Sequence, residues 1–440
     1  MISPARKLAY NLLLRIEDRR LHSDDAVNSP KMALLDERDR RLATELIYGV
    51  LRRQAPLDWL LARVGSRPWK ETDVGARVIL RMSLYQLWLM DRIPDHALVN
   101  DAVELAGKEL GNGIDKYVNG ILRQLTRSRP WNEEAWLQKA PEWVQVSLPQ
   151  WLWTRWRKRF GREHAREFAL SLNQPPPVWF RVSEISRGKD GCDYFPSLDM
   201  ESDIVPGAFL FKMPAGESRE KVLKSPDIRF QDEASQLIPF LPGPLRPGCL
   251  VWDACAAPGG KSALIAEMLG SEGRLVSSDR NLRRAEHLRR FLKNSGAIHP
   301  SVIVADARHS PPFSESFDFV LADVPCSGLG TLRRNPEIKW RVCPDDFAAL
   351  QETQQRILNN IADAVCPGGR LLYSTCSTEP EENERVVENF LKTRTDFRLE
   401  KPTHPAGIEN WTGNDGMVRT FPGTRLWDGF FAALFVRIKH

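Results

Sequence analysis

Two cysteines in the second half of the chain have the surroundings of reactive thiols. Cys326 lies in Asp323-Val-Pro-Cys-Ser-Gly328, and Cys376 lies in Tyr373-Ser-Thr-Cys-Ser377. Each follows an apolar run and is flanked by polar residues, whereas a cysteine that only fills a core is surrounded by apolar ones. The thiolate form of cysteine is a nucleophile, so both residues are candidates for covalent catalysis.

A glycine-rich segment earlier in the chain has the features of a ligand cradle. The segment Asp253-Ala-Cys-Ala-Ala-Pro-Gly-Gly-Lys-Ser262 follows a short apolar run and precedes a helix-like segment, Ala263–Leu269. Glycines let a ligand approach the backbone, and a helix N-terminus offers unpaired N–H groups. A phosphate-binding P-loop would need a glycine where Cys255 stands, and the dinucleotide fingerprint G-x-G-x-x-G is absent.

Aspartates follow four successive predicted strands. Asp253, Asp279 and Asp323 each close a strand, and Asp306 comes shortly after another. Because ligands of parallel sheets bind beyond the carboxyl ends of the strands, we expect these side chains to share one edge. A carboxylate in the position of Asp279 suits a ribose diol, and Asp306 can accept a hydrogen bond from an adenine amino group.

The elements that position these residues alternate between strand and helix over residues 226–440. The predicted strands are Leu250–Trp252, Arg274–Ser278, Ser301–Val304, Phe317–Ala322, Arg370–Ser374 and Phe430–Ile438, and the predicted helices are Leu282–Ser295, Asp346–Ala364 and Glu381–Leu391. This alternation predicts an α/β domain with a mostly parallel sheet that is covered on both faces.

The remainder of the chain divides into two regions. Residues 1–140 have helical periodicity throughout, and the apolar segment Val78–Met90 is predicted to form the centre of a bundle. Residues 141–225 form a connector with a small α+β region. Its segment Trp151–Phe160 interleaves aromatic and cationic residues. We expect the tryptophans to lie in the core and leave RNA contact by the arginines open.

Composition restricts the class of protein. The 440 residues carry a net charge of +5, a mild bias that is compatible with nucleic acid. The seven cysteines form no C-x-x-C pair, which argues against a disulfide framework or zinc site and fits a reducing cytosol. The sequence contains no apolar run of about 18 residues, so no membrane span is predicted. We therefore expect a cytoplasmic protein, monomeric and without metal.

The motifs together resemble the RNA 5-methylcytosine methyltransferase family. The resemblance is carried by the glycine-rich segment, by both cysteine motifs, and by Gln231–Leu237, Thr331–Trp340 and Asp428–Phe431. Fragments in the front region, Ala5–Ala9, Asp39–Arg53 and Val118–Leu122, resemble the NusB-like RNA-binding domain. This layout is similar to the RsmB (Sun/Fmu) type. It implies a Rossmann-like S-adenosylmethionine-dependent sheet, preceded by an all-α NusB-like domain (1–140) and a small connecting region (141–225), with the methyltransferase domain at 226–440.

The resemblance also implies roles for individual residues. Cys376 is the nucleophile, Cys326 assists breakdown of the covalent adduct, and Asp323 contacts the cytosine ring. DNA cytosine-5 methyltransferases use the cysteine of a Pro-Cys motif as the nucleophile, so Cys326 remains the alternative. The implied contacts to S-adenosylmethionine are Cys255, Ala256, Ala257, Pro258, Gly259, Gly260, Lys261, Asp279, Asp306 and Asp323.

The function that follows is methyl transfer to carbon 5 of a cytosine in small-subunit (16S) ribosomal RNA. Carbon 5 is a poor nucleophile until a thiolate adds to carbon 6, which explains why a cysteine is needed. Two alternatives remain: a transfer RNA cytosine methyltransferase, and a non-catalytic RNA-binding factor in ribosome assembly. The residues expected to contact RNA are Arg181, Arg333, Arg334 and Lys339.

Overall fold

The computed structural model describes residues 2–90, 93–111, 113–133, 135–182, 201–211, 228–297, 300–314, 316–421, 425 and 427–439. The predicted connector therefore lies partly outside the described residues, at 183–200 and 212–227. Among the helices that the structure describes, none is both long and apolar enough to span a bilayer.

Helices dominate the front of the chain and alternate with strands in its second half. The helices are α1 Pro4–Glu17, α2 Ser23–Val27, α3 Pro30–Ala33, α4 Glu37–Arg52, α5 Gln54–Val64, α6 Val74–Leu89, α7 Asp95–Leu110, α8 Ile114–Ser128, α9 Glu142–Gln145, α10 Gln150–Phe160, α11 Arg162–Ser171, α12 Glu233–Leu237, α13 Gly260–Leu269, α14 Leu282–Asn294, α15 Ile338–Arg341, α16 Asp346–Ala362 and α17 Glu384–Thr393. The strands are β1 Trp179–Val182, β2 Ala208–Leu210, β3 Ile228–Phe230, β4 Leu250–Asp253, β5 Arg274–Asp279, β6 Ser301–Val304, β7 Phe317–Asp323, β8 Val365–Thr375, β9 Phe397–Glu400, β10 Val418–Arg419 and β11 Phe431–Arg437.

The chain forms two compact units. Unit 1 contains Met1–Pro175 and Leu332–Val342, and unit 2 contains Pro176–Thr331 and Cys343–His440. Helices α10 and α11, which the sequence analysis assigns to the connector, therefore lie in unit 1. So does the segment 332–342, which the sequence analysis places in the methyltransferase domain.

The described elements of unit 1 are helices, and residues of α1 to α8 share one apolar cluster. The predicted central segment falls in α6, where Ile79, Leu80 and Leu84 are buried. Helix α10 has the amphipathic pattern that its sequence predicts, because Trp153 and Trp156 are buried while Arg157 and Lys158 are exposed. The tryptophans of this segment are thus core residues at those two positions, as predicted.

Unit 2 contains a small antiparallel sheet, in the order β2-β1-β3, and a large sheet. The large sheet has the order β10-β11-β8-β7-β4-β5-β6, with β9 paired to β11. Strands β4 to β8 run parallel to one another. Strand β11 is antiparallel to β8. The predicted α/β fold with a mostly parallel, Rossmann-like sheet is confirmed.

Alternation of side chains along β7 explains how the sheet is covered. Val320 and Ala322 join an apolar cluster that includes residues of α16 and α17, whereas Phe319 and Leu321 join one that includes residues of α12 and α13. Because successive side chains of a strand point to opposite faces, both faces of the sheet are buried. This double burial explains the nearly continuous apolar run in the sequence of β7.

Candidate active site

The glycine-rich segment forms the turn between β4 and α13. Asp253 is the last residue of β4, and α13 begins at Gly260. Gly259 has φ +119°, and a Cβ atom there would lie 2.7 Å from Leu288 Cδ1. Both the backbone conformation and the packing therefore require glycine at this position. The turn carries backbone N–H groups of a helix N-terminus to the edge of the sheet.

Asp253 is buried beneath this turn. Its Oδ2 accepts a hydrogen bond from Ser262 Oγ at 2.6 Å, and the residue is 1% exposed. Burial raises the pKa of Asp253 from 3.8 to about 7. The side chain thus braces the start of α13 from below the turn.

The ends of β5 and β6 lie beside the same turn. Ala256 N donates to Ser278 O at 2.8 Å, and Ala305 N donates to Asp279 O at 3.3 Å. These backbone bonds place Asp279 next to the turn, with Asp306 one residue beyond Ala305. The structure therefore brings together the glycine-rich turn and both aspartates, as the strand-end pattern predicts.

The two aspartates differ in their surroundings. Asp279 is 5% exposed, accepts a hydrogen bond from Asn281 N at 2.9 Å and lies 3.4 Å from Arg284. Asp306 is more open, and its two oxygens accept hydrogen bonds from the guanidinium of Arg308. That guanidinium lowers the pKa of Asp306 to about 2, so the carboxylate stays ionised and can accept further hydrogen bonds.

Asp323 connects the glycine-rich turn to β8. Its Oδ2 lies 2.7 Å from Lys261 Nζ, and its Oδ1 accepts a hydrogen bond from Ser374 Oγ at 2.8 Å. Burial disfavours the Lys261 ammonium, but the Asp323 carboxylate outweighs this effect and the pKa of Lys261 is raised. A charged pair therefore stands at the carboxyl end of β7, directly before the Cys326 loop.

The two cysteines are neighbours in space although 50 residues separate them. Cys326 follows β7, Cys376 follows β8 directly, and the two Sγ atoms lie 3.3 Å apart. Both thiols are free. The hydrogen bond to Cys376, together with burial, raises the pKa of Cys326 well above its ordinary value. Cys326 therefore stays protonated and can donate its proton toward the Cys376 sulfur.

Gly330 holds the backbone next to Cys376. Gly330 N donates to Cys376 O at 2.9 Å, and Gly429 N donates to Gly330 O at 2.8 Å. A Cβ atom on Gly330 would lie 1.9 Å from Gly429 O. The chain after Cys326 can therefore pass between the ends of β8 and β11 only with glycine at this position.

Glu382 is a site residue that the sequence analysis does not identify. It is fully buried, and its carboxylate accepts hydrogen bonds from Ser327 and Ser377, the residues that follow Cys326 and Cys376. Glu382 lies in a turn that precedes the helix after β8. This helix therefore begins at Glu384 rather than at the predicted Glu381. The signal in the sequence was the acidic run Glu379–Glu384, directly after the Cys376 motif.

Family models match three parts of the chain. A model described as 16S rRNA methyltransferase RsmB/F matches residues 245–436. The NusB family model matches residues 3–127, and a model of the ferredoxin-like domain of RsmF/B-like methyltransferases matches residues 148–190.

Full-length relatives are similar over almost the whole chain. A probable ribosomal RNA small subunit methyltransferase B from Synechocystis is 34% identical and aligns over 98% of this chain and 99% of its own length. A probable ribosomal RNA small subunit methyltransferase B from Bacillus subtilis is 32% identical, over 97% of each chain. The crystal structure of PH0851 has a TM-score of 0.80 and 25% identity, and the match covers 99% of both chains.

The chain belongs to the ribosomal RNA small subunit methyltransferase B family. This membership confirms the resemblance stated for the motifs and for the NusB-like front region. In this chain the region that matches the NusB family model, residues 3–127, precedes the region that matches the RsmB/F methyltransferase model, residues 245–436.

The structure shows the surroundings of the residues that are expected to contact RNA, and these contacts stay predictions. Arg181 is 7% exposed, donates to Pro206 O at 2.7 Å and lies 3.7 Å from Glu267. In this structure the cation is therefore engaged by groups of unit 2, among which strand β1 places it.

Two cations of unit 1 from the same set are also buried. Arg333 is 4% exposed, and its Nε donates to Ser171 O at 3.0 Å. Lys339 is 1% exposed, and its Nζ donates to Arg52 O at 3.0 Å. Burial and two neighbouring arginines lower the pKa of Lys339 well below its ordinary value. Arg334 is partly exposed, and its contact with RNA stays a prediction.

Proposed function

We propose that this protein transfers a methyl group from S-adenosylmethionine to carbon 5 of a cytosine in 16S ribosomal RNA, through a covalent adduct between Cys376 and carbon 6. The observation that carries the proposal is the approach of the two cysteine sulfurs to 3.3 Å at the carboxyl ends of adjacent parallel strands. Family membership supports ribosomal RNA as the substrate, since the relatives are named probable ribosomal RNA small subunit methyltransferase B.

The residues at the sheet edge fit S-adenosylmethionine. The glycine-rich turn offers backbone N–H groups, and the carboxylate of Asp279 suits the ribose diol. The ionised Asp306 can accept from the adenine amino group. The cofactor supplies an electrophilic methyl group on a sulfonium. The other predicted contacts, from Cys255 to Lys261, belong to the glycine-rich turn and to the first residues of α13.

The two cysteines have different roles in the proposed reaction. The Cys376 thiolate adds to carbon 6, which makes carbon 5 nucleophilic enough to take the methyl group. A base then removes the proton from carbon 5, and the C6–S bond breaks to release the thiolate. Cys326 lies within reach of the Cys376 sulfur and assists this last stage, while Asp323 contacts the ring at N3.

Trapping with RNA that carries 5-fluorocytosine tests the proposal. Fluorine cannot leave as a proton does, so the adduct should persist as a band that resists denaturant on a gel. We expect the band to be lost in Cys376→Ala and kept in Cys326→Ala. Cys343→Ala, which changes an exposed cysteine of the same unit, is the matched control.

Each contrary result has a definite meaning. A band that survives Cys376→Ala and disappears in Cys326→Ala would assign the nucleophile to the Pro-Cys motif instead. Adducts with transfer RNA but not with ribosomal RNA would keep the chemistry and refute the substrate. Absence of any adduct and of methyl transfer by folded protein would favour an RNA-binding assembly factor.

A further inference from the structure

The carboxylate of Glu382 is held in an unusual way. The residue is 0% exposed, and no cation pairs with it among the residues that the structure describes. Its acceptors are fully used by neutral donors. These donors are Ser327 N at 2.7 Å and Gln354 Nε2 at 3.0 Å on Oε1, and the hydroxyls of Ser327 and Ser377 on Oε2.

Burial of a carboxylate without a cation is costly. The charged group loses its hydration, and only hydrogen bonds from the protein offset that loss. Burial accordingly raises the pKa of Glu382 despite its four donors. A glutamine amide would fill nearly the same space at lower cost in stability, so the presence of a carboxylate indicates a use for its charge and for its four acceptor positions.

The donors show what the carboxylate holds together. Ser327 follows Cys326, and Ser377 follows Cys376, so one side chain binds the residue next to each thiol. Gln354, on α16, also donates to Pro325 O at 3.0 Å and so fixes the residue before Cys326. The two cysteine loops are therefore joined through a single group.

We propose that Glu382 is a positioning residue that clamps the two cysteine loops together and thereby sets the separation of the two thiols. The proposal rests on the function proposed above and extends it to a residue that does not touch the substrate. Release of the adduct requires Cys326 to stay within reach of the Cys376 sulfur. A displacement of about 1 Å in such a geometry can reduce a rate by about 100-fold.

The charge of Glu382 has a second effect on the same pair. After the hydrogen bond to Cys376 and burial, the negative charge of Glu382 also raises the pKa of Cys326. The clamp therefore keeps Cys326 in its protonated form as well as in place. Removal of the charge alone should make Cys326 easier to ionise.

Two substitutions separate the clamp from the charge. In Glu382→Gln the amide oxygen can accept from Ser327 N and Gln354, and the amide nitrogen can donate to the two hydroxyls. This variant keeps the clamp and loses the charge, whereas Glu382→Ala loses both. Glu384→Gln is the matched control, because that carboxylate, at the start of α17, pairs with Arg419 of β10 at 2.9 Å.

The experiment measures turnover, S-adenosylmethionine binding and covalent complex on RNA with ordinary cytosine. We expect Glu382→Ala to bind the cofactor with unchanged affinity, to turn over about 100-fold more slowly and to accumulate the adduct that it cannot release. Glu382→Gln should recover most of the turnover, with the alkaline limb of its pH profile moved to lower pH. Glu384→Gln should behave as wild type.

Several results would overturn the proposal. Normal turnover in Glu382→Ala, a loss of turnover that only follows lost cofactor binding, or a Gln variant as impaired as the Ala variant would each refute it. If Glu382→Ala does not fold, Ser377→Ala removes one donor of the clamp: about tenfold slower turnover at unchanged cofactor affinity supports the proposal, and unchanged turnover refutes it. If wild type forms no adduct even with 5-fluorocytosine, the proposed function itself is wrong.

Discussion

The buried carboxyl of Asp253 should make the stability of unit 2 depend on pH in a way that Asp253→Asn abolishes. The group lies under the glycine-rich turn and is 1% exposed. Burial raises its pKa from 3.8 to about 7. Asparagine has nearly the same shape, its oxygen can accept the hydrogen bond from Ser262, and it does not ionise.

The sign and size of the effect follow from the two pKa values. Below pH 3.8 the carboxyl is protonated in both states. Between pH 3.8 and 7 the unfolded chain has lost the proton and the folded protein retains it, so stability falls as the pH rises through this window. The full change is about 4 kcal/mol, and the part between pH 5 and pH 8 is about 3 kcal/mol.

Urea unfolding of wild type and Asp253→Asn without ligand, followed by circular dichroism between pH 5 and pH 8, measures this difference. The variant should gain about 3 kcal/mol relative to wild type across that range. Asp306→Asn is the control, because Arg308 lowers the pKa of Asp306 to about 2 and its titration lies below the range. A constant difference between wild type and Asp253→Asn would refute the burial argument.

Three further predictions concern other parts of the structure. Gly330→Ala should reduce adduct formation on 5-fluorocytosine RNA by about 100-fold on gels, because its Cβ would lie 1.9 Å from a carbonyl oxygen. The hydrogen bond with Glu337 raises the pKa of His22 above 6.5. The stability that His22 contributes is therefore complete below pH 6.5 and is lost as the pH rises through the pKa of the folded state. Thermal unfolding of His22→Gln should differ from that of wild type only on the acid side of this range. Arg181→Ala should lower the free energy of unfolding by about 2 kcal/mol in urea, because Pro206 O loses a charged donor while Glu267 keeps Arg229 as a partner. The same variant should leave the salt dependence of RNA binding unchanged.

The sheet edge was predictable because it depends on local patterns. Apolar runs such as that of β7 end in a polar residue, and in a parallel sheet every such end lies at the same edge. This rule is sufficient to predict from the sequence alone that Asp253, Asp279 and Asp323 share one edge of the sheet. The pairing of Cys326 with Cys376 follows from the same rule, because β7 and β8 are adjacent.

Glu382 escapes such rules because its partners come from distant parts of the chain. Ser327 lies 55 residues before it and Gln354 lies 28 residues before it. In sequence, the acidic run around Glu382 has the composition of a solvated helix start, which is the usual place for glutamates. In the structure, donors from α16 and from the two cysteine loops surround this residue instead.

The burial of Arg333 and Lys339 has a general physical reason, which lies in the ends of the helices of unit 1. The last carbonyl groups of an α-helix have no partner within the helix and carry partial negative charge, so they attract cationic and N–H donors. The segment 332–342 supplies such donors to three helix ends. Its bonds are Arg341 to Ile16 O of α1 at 2.7 Å, Trp340 to Leu51 O and Lys339 to Arg52 O of α4 at 2.9 and 3.0 Å, and Arg333 to Ser171 O of α11 at 3.0 Å.

A cationic run in a family that acts on RNA suggests phosphate contacts, but the C-terminus of a helix offers the same cations a partial negative charge within the chain. The choice between the two partners depends on where the helices end in space, and that is information which the spacing of cations in a sequence does not contain.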